Sequence, residues 1–126
     1  MKNKILVATA FIGALTIILG AFGAHSLKEV LSEDLLKSFE TAVRYQMYHV
    51  LALLFINTTT SISLTFQKRI SYLFFTGIAL FSGSIYGITI FQIPATSIWF
   101  VTPLGGLFFI AGWAVLCWSF ITSTKN

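Results

Sequence analysis

The chain has 126 residues, 56% of them hydrophobic and 10% charged, with a formal net charge of +4. A soluble domain carries about 25% charged residues, so a water-facing surface is excluded, and the length holds a single compact unit. The eight Lys and Arg residues form no stripe for nucleic acid, and the one cysteine, Cys117, allows no internal disulfide.

Residues 5–24 follow a basic start and carry no charge. At about 1.5 Å per residue they cross a hydrocarbon layer of about 30 Å. A cleaved leader is the competing reading, but the stretch is long for a leader core of about 7–15 residues. Thr9, Gly13, Thr16, Gly20 and Gly23 recur at spacings of three or four. They predict one smooth helix face on which another helix can pack closely, and a discarded peptide needs no such face.

Residues 27–40 have a different character. Leu27, Leu31, Leu35 and Phe39 repeat every four residues, with Lys28, Ser32, Glu33, Lys37 and Glu40 off that stripe. The pattern predicts an amphipathic helix lying at the membrane interface. All four acids, Glu29, Glu33, Asp34 and Glu40, fall here. Glu33 with Lys37, and Glu40 with Arg44, are spaced as helical ion pairs in the favourable acid-first order.

A second span is expected over about residues 41–60. Its uncharged part, residues 50–56, is too short to cross alone, so the crossing takes in Arg44, Gln46 and His49. A polar turn over residues 61–69 holds Lys68 and Arg69, and a third span covers about 70–91. Ala79, Gly83 and Gly87 form a doubled small-xxx-small pattern in it, a second Gly-rich face suited to helix packing or to a homo-oligomer. Pro94 stops that helix. A fourth span over about 98–121 carries Trp99 and Trp118 near its two ends, as interfacial belts would place them, and Pro103 in its first turn.

Lys2, Lys4, Lys68, Arg69 and Lys125 fall on one side of these spans. Lys28, Lys37 and Arg44 fall on the other, offset by the acids. The balance places both termini in the cytoplasm of a cell-membrane protein. Polar side chains of the spans then gather in the outer leaflet. His25 ends the first span, and Arg44 lies in the first turn of the second, with His49 about 7.5 Å deeper. Ser82, Ser84 and Tyr86 lie in the outer half of the third span, and Thr102 starts the fourth. On a helical wheel Glu40, Arg44 and Tyr48 form one strip, and Tyr45 and His49 an adjoining one; Gln46 is a further polar residue of the same stretch.

Two readings of this cluster stand side by side. In one, Glu40 pairs with Arg44, and hydrogen bonds to Ser84 or Tyr86 pin the helices together. In the other, the cluster binds a lipid or another amphipathic molecule, with Arg44 holding an anionic group and His49 or Tyr48 as partners. Two histidines and a cysteine make no metal motif, and no cofactor is implied. Ser82 and Ser84 lack a nucleophile elbow, and no Asp lies in the spans to orient a histidine. No acid sits near the midplane to couple a proton to transport. A small oligomeric transporter or channel, and a membrane enzyme using His25 and His49, remain as alternatives.

The runs Gly20-Ala21-Phe22-Gly23-Ala24-His25, Phe39-Glu40-Thr41-Ala42-Val43-Arg44-Tyr45-Gln46-Met47-Tyr48-His49, Phe81-Ser82-Gly83-Ser84-Ile85-Tyr86, Thr102-Pro103-Leu104-Gly105-Gly106 and Gly112-Trp113 resemble the YgdD/YwdK-type family. This is a family of small four-helix membrane proteins, a domain of unknown function (423) found in bacteria with relatives in animals. The resemblance covers nearly the whole chain and implies a retained first span and an inner-membrane or plasma-membrane home. It implies no activity, substrate or catalytic residue. The expected fold is all-α, an integral membrane bundle of four transmembrane helices with an interfacial helix between the first and second.

Overall fold

The computed structural model describes residues 2–123. The orienting charge of Lys125 lies outside the described residues, as does the side chain of Lys2. The described chain is helical, with no strand. Helix α1 covers Lys2–His25. A single 3₁₀ turn at Leu27–Glu29 leads to α2, Glu33–Thr58. Helix α3 covers Leu64–Thr89, with a wide π turn at Ile78–Ser82 in its middle. A short α4 at Ala95–Ile98 precedes α5, Val101–Ser123.

Helices α1, α3 and α5 are long and apolar enough to cross a membrane. Helix α2 is equally long, 26 residues or about 39 Å, but its polar run lowers its hydropathy. The helix expected over residues 27–40 and the span expected over 41–60 are therefore not separate elements. Ser32 is extended, and its hydroxyl accepts from the Leu35 N–H at 3.2 Å, so the helix starts at Glu33. Glu33 and Asp34 complement the N-terminal dipole there. Nothing between Glu40 and Thr41 breaks the helix, and it runs on through both stretches.

The expected polar turn over residues 61–69 is shorter for the same reason. Ser63 caps α3 by accepting from Phe66 N–H, which puts Lys68 and Arg69 inside the helix. Gln67 reaches back from that helix and donates to the carbonyls of Thr59 and Ile62, closing the loop. At the other end of α3, Gln92 takes a left-handed φ of 57°, and Ile93 N–H returns to the Gly87 carbonyl. Pro103 falls within the first turn of α5, where its missing N–H would have had no helical partner.

The small-residue face of α1 packs on α2 as its spacing predicts. Thr9 and Thr16 are buried, and each turns its hydroxyl back to a carbonyl of its own helix, Ile5 and Ile12. A side chain at Gly13, Gly20 or Gly23 would meet Val50, Val43 or Phe39 of α2. The positions show an antiparallel register in which α1 climbs as α2 descends.

Helices α3 and α5 form the other tight pair. Each offers a glycine to a phenylalanine of its partner: Gly77 lies under the ring of Phe109, and Gly112 under that of Phe74. At Gly105 the approach is closer still, because an added Cβ would lie 2.2 Å from the backbone nitrogen of Phe81. Leu53 and Ile56 of α2 complete an apolar core with Ile70, Phe74, Ile78, Phe109 and Leu116. Helix α2 thus lies between α1 and the α3–α5 pair.

Candidate functional site

Helix α2 divides its polar residues between two faces. Gln46, His49 and Asn57 point inward and are buried, whereas Glu40, Arg44, Tyr45 and Tyr48 are exposed. The two faces do different physical jobs.

Gln46 is 2% exposed and uses both ends of its amide. Its Nε2 donates to Thr16 Oγ1 at 2.7 Å, and its Oε1 accepts from the Tyr86 hydroxyl at 2.7 Å. Thr16 passes its own proton to the Ile12 carbonyl. One line of hydrogen bonds therefore runs from α3 through α2 to α1. A buried amide left unpaired in an apolar interior would lose the desolvation free energy of its polar atoms, so these partners fix its position.

His49 is enclosed by rings. Phe109 stacks on it with centroids 3.7 Å apart and 12° between planes, and Phe74 meets it edge-on at 4.9 Å. Its Nδ1 lies 2.6 Å from the Tyr45 carbonyl, and the Trp113 indole N–H donates to its Nε2 at 3.0 Å. A carbonyl can only accept and an indole N–H can only donate. The ring is therefore the neutral tautomer with its proton on Nδ1, and both nitrogens are used.

The hydroxyls of α3 serve as further ties. Ser82 donates to the Ala42 carbonyl of α2 at 2.8 Å. Two residues on, Ser84 bonds the Phe81 carbonyl and the hydroxyl of Thr102 in α5. Residues two apart on a helix lie about 200° from each other, so these two serines face different helices. Nearer the other end of the bundle, Asn57 donates to Ser71 Oγ and to the Leu53 carbonyl.

Of the expected site residues, Gln46 meets Tyr86 and Ser84 meets Thr102, while His49 and Ser82 bond to other residues, so each of the six has a partner inside the protein. His25 ends α1 in an exposed position. Tyr45 stacks on Phe81 with centroids 5.2 Å apart and also meets Tyr48. The expected ion pair between Glu40 and Arg44 does not form, and no ion pair or hydrogen bond holds either side chain among the described residues. Both are exposed and reach toward neighbouring space instead. The sequence reading missed Trp113 and Phe109 as partners of His49, and Thr16 as the partner of Gln46. The burial of Thr16 was signalled by its place on the small face of α1, whereas Trp113 stood out in the Gly112-Trp113 run without any sign that it would meet His49.

The exposed strip of α2 borders an open groove at its seam with α1. Gly20 and Gly23 line both of its lobes. One lobe, of about 240 Å³, is lined also by Phe39, Glu40, Val43 and Arg44. The adjoining lobe, about 290 Å³, shares Gly20, Gly23 and Glu40 and is bordered by Lys28. Two cations and one carboxylate thus rim a cleft lined by two glycines. Such a rim suits a small anionic or zwitterionic group held by charge-assisted hydrogen bonds.

Comparison with known proteins gives a consistent relationship. A family model described as "Protein of unknown function (DUF423)" matches residues 19–106. The chain is 45% identical over 100 residues to a UPF0382 membrane protein of Staphylococcus haemolyticus, covering 77% of this chain and 78% of that one. It is 36% identical over 118 residues to a UPF0382 membrane protein of Haemophilus influenzae, covering 94% of each. It is also 35% identical over 118 residues to the UPF0382 inner membrane protein YgdD of Escherichia coli, covering 88% of this chain and 84% of that one. No solved structure matches it.

Proposed function

Because this chain belongs to the DUF423 (UPF0382) family of membrane proteins, we propose that it is a four-span, non-enzymatic protein of the cell membrane that binds a lipid or similar amphipathic molecule at the α1–α2 groove. The observation that carries this reading is Arg44, a guanidinium with no protein partner among the described residues, on the wall of a cleft between two helices. A cation at this depth is costly unless something pairs with it or it reaches the headgroups.

In this reading α2 is the fourth crossing. Its interior polar atoms are hydrogen-bonded, and side chains on a helix lean toward its N-terminus, which carries Arg44 toward the polar end. Both termini lie in the cytoplasm, with Lys4, Lys68 and Arg69 on that side. The groove then opens in the outer leaflet. Since His49, Gln46, Ser82 and Ser84 already spend their hydrogen bonds within the protein, they clamp α2, α3 and α5 together, and Gln46 carries the tie on to α1 through Thr16. The two readings of the polar cluster thus apply to different faces of one helix.

The test is native mass spectrometry of protein purified in mild detergent. Retained lipid that falls several-fold in Arg44→Ala, with thermal unfolding unchanged, supports the proposal. Equal lipid content in the two proteins overturns it. The alternative of a small oligomeric transporter or channel draws on Ala79 and Gly83, which lie exposed on one side of α3. Ion or solute flux in liposomes from a defined oligomer would favour it.

A further inference from the structure

Resting on that lipid-binding reading, we propose that the groove selects a phosphoethanolamine headgroup, with its phosphate on Arg44 and its ammonium on Glu40. Charge complementarity carries the choice. Glu40 belongs to both lobes, with Arg44 in one and Lys28 in the other, and none of the three has an ion-pair partner among the described residues. A purely anionic headgroup would satisfy the cations and leave the carboxylate facing negative charge. A choline headgroup would bring positive charge but no N–H for the carboxylate to accept. A primary ammonium one ethylene from a phosphate offers an anion for Arg44 and three donors for Glu40.

The shape of the site agrees. The lobes have room for a headgroup and not for a whole lipid. Below Arg44 the same strip of α2 continues as Tyr48, Leu51 and Phe55, which are 52%, 57% and 55% exposed. The spacings of four, three and four keep them on one helix face. They form an apolar track leading down from the charged rim, along which an acyl chain would lie.

The experiment reconstitutes the full-length protein into nanodiscs with equal parts of phosphatidylethanolamine, phosphatidylglycerol and phosphatidylcholine of matched chains. It is then extracted into mild detergent and its retained lipids are counted by native mass spectrometry. The expected result is at least a threefold excess of phosphatidylethanolamine over each of the others. Glu40→Gln should retain lipid but lose the preference over phosphatidylcholine. Equal retention of the three lipids, or an unchanged preference in Glu40→Gln, overturns the headgroup assignment while leaving lipid binding itself in place. Failure of the underlying reading looks different: retention of all three lipids would be insensitive to Arg44→Ala.

Discussion

Trp113 donates its indole N–H to Nε2 of His49 across 3.0 Å, joining α5 to α2 through residues 64 positions apart. Removing the donor as Trp113→Phe leaves a buried ring nitrogen with no partner. The expected loss is about 1–3 kcal/mol of stability, the usual cost of stranding a buried acceptor. In a double-mutant cycle with His49→Phe the two losses should fall short of additive, because residues that share a bond couple. Thermal unfolding in detergent reads both effects, and strict additivity would show that the contact contributes nothing.

Gln46→Leu removes both ends of the line from Tyr86 to Thr16. We expect a loss of about 1–2 kcal/mol, in the upper part of the range for hydrogen bonds between membrane helices. Tyr86→Phe should lose less, since Gln46 keeps its bond to Thr16. Hydrogen exchange should rise first in α1, which rests chiefly on α2. If α3 loosens before α1, the line does not hold the first helix.

The glycines make opposite predictions according to what faces them. Gly105→Ala must push α5 away from the backbone of Phe81 and should cost at least about 1–3 kcal/mol as an overpacked contact. Gly83 faces open space, where an added Cβ would come no nearer than 4.0 Å to the Ile78 carbonyl oxygen. Gly83→Ala should therefore be neutral or stabilise the monomer by about 0.5–1 kcal/mol. Size exclusion with light scattering adds a second readout: an oligomer that loosens in Gly83→Ala would place this face between copies of the chain.

Topology is open to cysteine labelling. In a Cys117→Ser background, a cysteine at Gln92 should react with a membrane-impermeant maleimide added outside intact cells. One at Ser61 should react only after the cells are opened. The reverse pattern would invert the orientation and place the groove in the inner leaflet.

Some of this arrangement was legible in the residues because it depends on local spacing. The face of Thr9, Gly13, Thr16, Gly20 and Gly23 could be read directly, since helical periodicity alone puts those residues together. The wheel grouped Tyr45 with His49 and left open which strip faces inward; the structure buries Gln46 and His49 and exposes Arg44, Tyr45 and Tyr48. The ends of the helices were less legible. Ser32 and Ser63 decide where α2 and α3 begin, and such caps compete with many similar serines nearby. The spacing of Glu40 and Arg44 allowed an ion pair that the structure does not form, because helical spacing brings two side chains within reach without fixing where either one points. The wide turn at Ile78–Ser82 has no composition that announces it. Trp113 could be assigned to His49 only after α5 had been laid against α3.

The line through Gln46 also bears on how the protein is made. The amide meets Thr16, 30 residues behind it, but its oxygen must wait for Tyr86, 40 residues ahead. A chain delivered to the membrane from its N-terminus therefore passes through a hairpin of two helices with one acceptor still open. That vacancy makes the hairpin an incomplete product, and the arrival of Tyr86 gives assembly a direction.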